Sequence, residues 1–217
     1  MISRSTFVAE VLGTGFLLAV IVGSGWAVQQ LGAAPASQLF VHAVIVGAGL
    51  AVAIIVFIPF SGAQFNPAVT LALLIRRQLD AAAAAQIVGA QFVGGFFGLI
   101  LANFTFASEL MSMSSIDRSG AGRIAGEVFA TFGLVLVILV LIDTHRESAI
   151  PAAVGLWVTT IIVATVSTGF ANPVVTVART FTDSYTGIEP GSVAPFIIAQ
   201  LFGSLLAVGA ARVLTHD

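Results

Sequence analysis

The sequence predicts an all-α membrane protein with six transmembrane helices and two re-entrant half-helices, arranged as an inverted repeat of three plus three spans. Three observations carry this. The chain has 217 residues, of which 58% are apolar, and eight arginines with ten acidic residues supply all its charge. The stretches 11–75, 81–108, 128–142, 148–178 and 190–211 contain no Asp, Glu, Lys or Arg, and a span needs only about 20 mostly apolar residues. An Asn-Pro pair opens a short apolar segment twice, at Asn66-Pro67 and at Asn172-Pro173. Such a composition excludes an ordinary soluble domain and leaves no material for an extramembrane enzyme. The net charge of −2 gives no basic footprint for nucleic acid or anionic lipid. Without cysteine there are no disulfides, thiolate metal sites or cysteine nucleophiles.

The first 26 residues have the outline of a secretory signal, with Arg4, an apolar run and small residues at Gly23 to Gly25. Glu10 heads that run, and its surroundings recur later, so the segment is expected to be a retained first span over about 6–28. The polar break Gln29 to Gln38 precedes a second span, 39–60. After Pro59 the run Ser61-Gly62-Ala63-Gln64-Phe65-Asn66-Pro67-Ala68 leads into an apolar segment that stops at Arg76 and Arg77. Ten helical residues rise about 15 Å, half of the bilayer core, so this segment is a half-helix capped by Asn66 with Pro67 at its first position. The third span covers 82–107. A polar loop, Ser108 to Arg123, separates it from spans four (124–142) and five (149–167). The second half-helix starts at Asn172-Pro173 and ends near Arg179 to Asp183, and span six covers 192–214.

Three landmarks recur in order. Ala9-Glu10-Val11-Leu12-Gly13-Thr14 resembles Gly126-Glu127-Val128-Phe129-Ala130-Thr131, the Asn-Pro elements follow, and Ala90-Gln91-Phe92-Val93-Gly94-Gly95 resembles Ala199-Gln200-Leu201-Phe202-Gly203-Ser204. The chain is therefore expected to form one membrane domain over 1–217, with repeats of about 1–110 and 120–217. Three spans per repeat, an odd number, turn the second repeat upside down. The half-helices then enter from opposite faces, and Asn66 and Asn172 meet near the midplane. Arg4, Arg76, Arg77, Arg146 and Arg212 fall on one side and Arg118, Arg123 and Arg179 on the other, which favours cytoplasmic termini.

Irregular backbone at membrane depth is tolerated where it is buried in protein or lines a watery cavity. A pore is the natural reading. Facing half-helix N-termini place partial positive charge at its centre, and the Asn66 and Asn172 amides donate hydrogen bonds to an uncharged oxygen there. Cations are repelled, and water oriented by both donors breaks a proton-conducting wire. The plain alternative is that each Asn-Pro is a turn and cap alone.

The run Ser61-Gly62-Ala63-Gln64-Phe65-Asn66-Pro67-Ala68-Val69-Thr70 resembles the first signature of the aquaporin and glycerol-facilitator (major intrinsic protein) family. The heading glutamates, the Ala-Gln-Gly helices and the second Asn-Pro also resemble that family, along the whole chain. The resemblance implies an aquaporin-like, right-handed channel assembled as a homotetramer with one pore per subunit. Such a channel would sit in the inner (plasma) membrane and pass water and small neutral solutes without a cofactor. Its pore centre would be Asn66, Pro67, Ala68, Asn172, Pro173 and Val174.

The family's second signature reads Asn-Pro-Ala-Arg, and the arginine narrows and charges the outer selectivity filter. Here Val175 holds that position. Arg179 lies one turn further on and is a possible substitute, but its four-residue spacing to Asp183 favours a local ion pair. Counting back from Asn66 places Val46 at the helix-two filter position. The helix-five position is Ile162 if anchored on Gly155, or Thr160 if counted from Asn172, and Gly169 or Phe170 supplies the remaining contact. An apolar, wide filter points to solutes larger than water. Glycerol-like polyols and neutral metalloid hydroxides such as arsenicals are the implied class, with a water-selective pore as the alternative.

Glu10 and Glu127 are costly in a membrane unless satisfied, and they are expected to accept hydrogen bonds from the two re-entrant loops rather than relay protons. His42 reads as an interior or pore-wall histidine without a metal partner, and His145 and His216 as solvated. Gly47, Gly49, Gly94, Gly95, Gly98 and Gly203 fit close helix approach. Trp26 and Trp157 are too few for an aromatic belt. A coupled transporter would need titratable groups along the lumen beyond the Glu pair and His42. An intramembrane enzyme would need a nucleophile beside a base, and neither pattern is present.

Overall fold

The computed structural model describes residues 1–32 and 34–215; the expectation for His216 lies outside these. The helices are α1 (Arg4–Gln30), α2 (Pro35–Ser61), α3 (Pro67–Ile75), α4 (Ala81–Thr105), α5 (Ala121–Asp143), α6 (Ile150–Ala164), α7 (Pro173–Ala178) and α8 (Pro190–Thr215). Single 3₁₀ turns, Glu147–Ala149 and Arg179–Phe181, lead into α6 and out of α7. The described residues contain no strand. Six of the helices, counting α6 with its 3₁₀ lead-in, are long and apolar enough to cross a membrane, and the protein is a multi-pass membrane protein. An even number of crossings puts both ends on one side, called here the terminal side.

Helix ends are set by local chemistry. The Ser3 hydroxyl accepts from Thr6 N at 3.0 Å and the Asp80 carboxylate from Ala83 N at 2.7 Å, each satisfying an orphan first-turn donor. Proline occupies the first turn of α2, α3, α6 and α7, where its missing N–H is not needed. Helix α6 stops at Ala164, three residues before the expected 167. There Thr165 turns to an extended backbone (φ −120°, ψ 144°), and its hydroxyl donates to Ile161 O at 2.7 Å.

The spans are apolar on most faces, as membrane helices are. Phe97, Leu156 and Ile198 are more than 60% exposed on the outside. Lipid gives apolar helices no hydrophobic reason to associate, so close packing must hold them. At the α1–α4 crossing a Cβ on Gly94 would lie 2.1 Å from Val11 O, and one on Gly98 2.0 Å from Gly15 O. At α5–α8 a Cβ on Gly203 would meet Val128 O at 2.5 Å, and at α2–α6 one on Gly47 would meet Gly155 O at 2.5 Å.

Between these pairs the chain dips twice to mid-depth. In the first loop Gly62, Ala63 and Phe65 have φ of 78°, 51° and 51°; in the second Thr168, Gly169 and Ala171 have 61°, 54° and 49°. Left-handed backbone costs a residue with a Cβ about 1–2 kcal/mol, and one carboxylate steadies each loop. Glu10 accepts from Gln64 N (3.0 Å), Phe65 N (2.9 Å), Ser61 Oγ (2.6 Å) and Gln91 Nε2 (2.9 Å). Glu127 accepts from Phe170 N and Ala171 N, both at 2.9 Å, and from Gln200 Nε2 at 2.6 Å. The two glutamines also donate to Thr70 and Thr176 in the following half-helices. Helix α3 then returns to the terminal side, where Arg76 pairs with Asp143 through two bonds of 2.7 and 2.8 Å. Asp143 also accepts from Thr215 at 2.9 Å, so the ends of α3, α5 and α8 are joined.

Two predictions follow from this packing. Gly98→Val places side-chain atoms against the Gly15 backbone, which has nowhere to move; the expected outcome is loss of the monodisperse peak in detergent size-exclusion chromatography. Glu127→Ala strips three donors of their acceptor, and unmet buried donors cost about 1–3 kcal/mol each. Its thermal unfolding midpoint should fall by at least 5–10 °C, or roughly that, in a fluorescence melt.

Candidate functional site

A cavity of about 320 Å³ runs through the bundle, from Gln78, Leu79, Ile142 and Ile150 on the terminal side to His42 and Arg179 on the other. Its terminal half is walled by apolar side chains, among them Leu73, Leu134, Ile138 and Val154. Among the described residues no three His, Asp or Glu side chains cluster as metal ligands.

At mid-depth the tips of the two loops meet. Each asparagine caps its own half-helix, Asn66 Oδ1 accepting from Ala68 N at 2.9 Å and Asn172 Oδ1 from Val174 N at 3.0 Å. Each also donates across the junction: Asn66 Nδ2 to Ala171 O at 2.7 Å and Asn172 Nδ2 to Phe65 O at 2.8 Å. An amide nitrogen carries two hydrogens, so one remains on each asparagine. Both side chains line the cavity. Pro67, Ala68, Pro173 and Val174 sit at the same depth but build the wall behind. Ala68 and Val174 are fully buried, Ala68 O accepts from Ser204 Oγ at 2.7 Å, and Val174 packs on the bare backbone at Gly95.

Beyond the asparagines the cavity is lined by Val46, Ile162, Val175, Gly169 and Phe170. Of the two helix-five candidates, Ile162 lines the cavity and Thr160 does not. Thr160 faces outward, its hydroxyl donating to Leu156 O at 2.8 Å, because two residues along a helix turn a side chain through about 200°. Gly169 and Phe170 both contribute.

The expected ion pair between Arg179 and Asp183 does not form. Asp183 is exposed and accepts from Ser115 N and Oγ at 2.9 and 3.1 Å. Arg179 turns inward instead: it is 3% exposed, lines the cavity, donates through Nε to Thr186 O and lies over the Phe170 ring, 3.4 Å from its centroid. The 3₁₀ turn after α7 ends the helix before Asp183, removing the four-residue helical register the pair needed. The wall is therefore not wholly apolar.

A second arginine stands behind the first. Arg118 is buried in the loop between α4 and α5, 4.9 Å from the Phe170 centroid, and donates to Gly187 O (2.6 Å), Thr168 Oγ1 (3.3 Å) and Tyr185 O (3.2 Å). Burial lowers its pKa to about 10, which leaves it cationic at neutral pH. With Arg118 and Arg179 both inside the protein, the five-to-three arginine count is corrected: of the three on this side, Arg123 alone is left at the surface. Nothing in the loop's spacing signals Arg118. Gln64, also on the cavity wall, was likewise missed as a site residue, although it lies two positions before Asn66.

Trp26 and Trp157 are tied inside, to Asn103 Oδ1 (2.9 Å) and Ala130 O (3.0 Å).

Residues 2–165 match the major intrinsic protein family. The chain is 42% identical to aquaglyceroporin AqpS of Rhizobium meliloti over 94% of its length and 88% of that protein. It is 29% identical to the glycerol uptake facilitator protein-like 6 of Lactiplantibacillus plantarum over 97% of its length and 98% of that protein. The X-ray structure of the aquaglyceroporin from Plasmodium falciparum superposes with a TM-score of 0.76 at 23% identity, covering 97% of this chain and 96% of that one. Paired half-helices tipped by crossed asparagines, with the extent of these matches, make the chain a member of the major intrinsic protein family.

Proposed function

We propose that the protein is a passive transmembrane channel for water and small neutral hydroxylated solutes of glycerol size. The observation that carries it is the long cavity lined from Gln78 on the terminal side to Arg179 on the other: mostly apolar along its wall, it offers fixed hydrogen-bond donors at Asn66 and Asn172 and a cationic one at Arg179. A neutral solute with hydroxyls on one face and carbon on the other meets both surfaces. A cation loses its hydration shell at an apolar ring beside a guanidinium, with nothing negative to replace it. Neutral metalloid hydroxides share this hydroxyl pattern and belong to the same proposed class, and the glycerol-facilitator and aquaglyceroporin names of the relatives support it.

Arg179 takes the charge that Val175 lacks. Val46, Ile162, Val175, Gly169 and Phe170 form the apolar level beneath it. The chain acts as a single domain of two repeats. Passive flow is favoured over coupled transport because His42 and Arg179 are the ionisable side chains on the cavity wall, while Glu10 and Glu127 are spent on loop donors. Both termini lie in the cytoplasm, in the inner (plasma) membrane, supported by Arg4, Arg77, Arg146 and Arg212 on the terminal side against surface Arg123 opposite. The outward apolar faces pack against lipid and against sister subunits of a homotetramer.

Stopped-flow light scattering on proteoliposomes tests the reading. Water and glycerol permeability should both exceed those of empty vesicles; glycerol at background would overturn the solute class. Val175→Arg should reduce glycerol flux at least about tenfold, since a guanidinium takes up cavity space at that level, with water less affected. Arg179→Leu should admit a potassium current absent from wild type.

A further inference from the structure

We infer that Arg118 is a positioning residue for Arg179: it stays off the cavity wall and fixes the backbone that aims Arg179 into the cavity. The inference rests on the channel reading above, in which Arg179 is the charge that turns cations away.

Of the two arginines, Arg179 lines the cavity and Arg118 does not. The aim of Arg179 depends on Thr186 O, which accepts from its Nε, and on the Phe170 ring against its guanidinium. Residues 182–189 lie in no helix, so no helical ladder holds the Thr186 carbonyl in place. Arg118 takes the carbonyls on either side of it, Nη2 donating to Tyr185 O at 3.2 Å and Nε to Gly187 O at 2.6 Å. Three consecutive carbonyls are thus bound in turn by Arg118, Arg179 and Arg118.

The same guanidinium reaches the other support. Its Nη1 donates to Thr168 Oγ1 at 3.3 Å, two residues before Phe170, and its carbon lies 4.9 Å from the Phe170 centroid. Arg118 therefore ties the loop that enters α7 to the stretch that leaves it, and both supports of Arg179 fall between its contacts. This takes a planar fork with donors on three nitrogens; an ammonium offers its hydrogens from one.

Arg118 is itself held at its base. Upstream, Ser112 N and Ser114 N donate to Phe181 O at 3.2 Å and Thr180 O at 2.9 Å, and Glu189 N donates to Ile116 O at 2.9 Å. The Arg118 backbone N donates to Ser192 Oγ at 3.1 Å. A Cβ on Gly187 would lie 2.2 Å from Ser114 Oγ, so the two segments pack in direct contact. The segment between α4 and α5 is the fixed base, and residues 185–187 are what it holds.

The test measures potassium current through reconstituted wild type, Arg118→Met, Arg118→Lys, Arg179→Leu and the double variant Arg118→Met/Arg179→Leu at equal protein density. Arg118→Met keeps an unbranched stem and removes the three donors; its current should reach at least about half that of Arg179→Leu. Arg118→Lys keeps the charge without the fork, and should leak at least about half as much as Arg118→Met. Because Arg118 acts through Arg179, the double variant should differ from Arg179→Leu by less than about 1.5-fold, whereas a general loosening of the outer loops would add to the leak. If Arg118→Met does not reconstitute, Arg118→Lys and its double with Arg179→Leu carry the same comparison. A tight Arg118→Met beside a leaking Arg179→Leu would overturn the inference. So would a tight Arg118→Lys, which would assign the effect to charge alone, or a double variant whose leak is the sum of the two. Wild-type water permeability at background, or no current in Arg179→Leu, would instead overturn the channel reading on which it rests.

Discussion

Polar backbone at the middle of a bilayer has no water to bond to, and this protein brings two such loops there. The acceptors that make it possible are the carboxylates of Glu10 and Glu127, each taking two consecutive backbone N–H groups and a glutamine amide. A bare carboxylate would be as unwelcome at that depth as the loops are. Together their needs cancel: the loop supplies directed donors, and the charge supplies the strength of a charge-assisted bond. The left-handed residues Phe65 and Ala171 sit inside this grip, and their carbonyls receive the opposing asparagines.

The glycine crossings serve the same end. A carboxylate on α1 reaches the first loop, and Gln91 on α4 reaches that carboxylate, because Gly94 and Gly98 let the two helix backbones touch. Replace that contact by ordinary side chains and the spacing of 8–10 Å between helix axes, roughly what such packing gives, would carry Gln91 away from Glu10. Small residues in the spans are thus what allows long polar side chains to do their work between them.

Much of this was legible in the sequence. Charge-free runs marked the spans, and Pro67 and Pro173 marked the half-helix starts, because proline at a first turn and an asparagine before it are local rules. The duplicated Glu and Gln landmarks pointed to the loop supports. What escaped was set by side-chain choice over distance. Arg179 had a four-residue partner in Asp183 on paper, yet the helix ended first and Ser115, remote in sequence, took the carboxylate. Whether Ile162 or Thr160 faced the cavity depended on a loop length that counting from either end left unresolved. Arg118 acquired its place only when Gly187, Thr168 and Tyr185 folded round it.

The crossed asparagine bonds bear on how the chain is made. Asn66 needs Ala171 and Asn172 needs Phe65, residues more than a hundred positions apart. During synthesis the first three spans enter the membrane while the carbonyl and the amide at their loop tip still lack partners, and they cannot be completed until the second set arrives inverted. Those two groups at the first loop tip therefore have no protein partner until the second half is in place. Assembly order is written into the same two amides that stand at the centre of the finished pore.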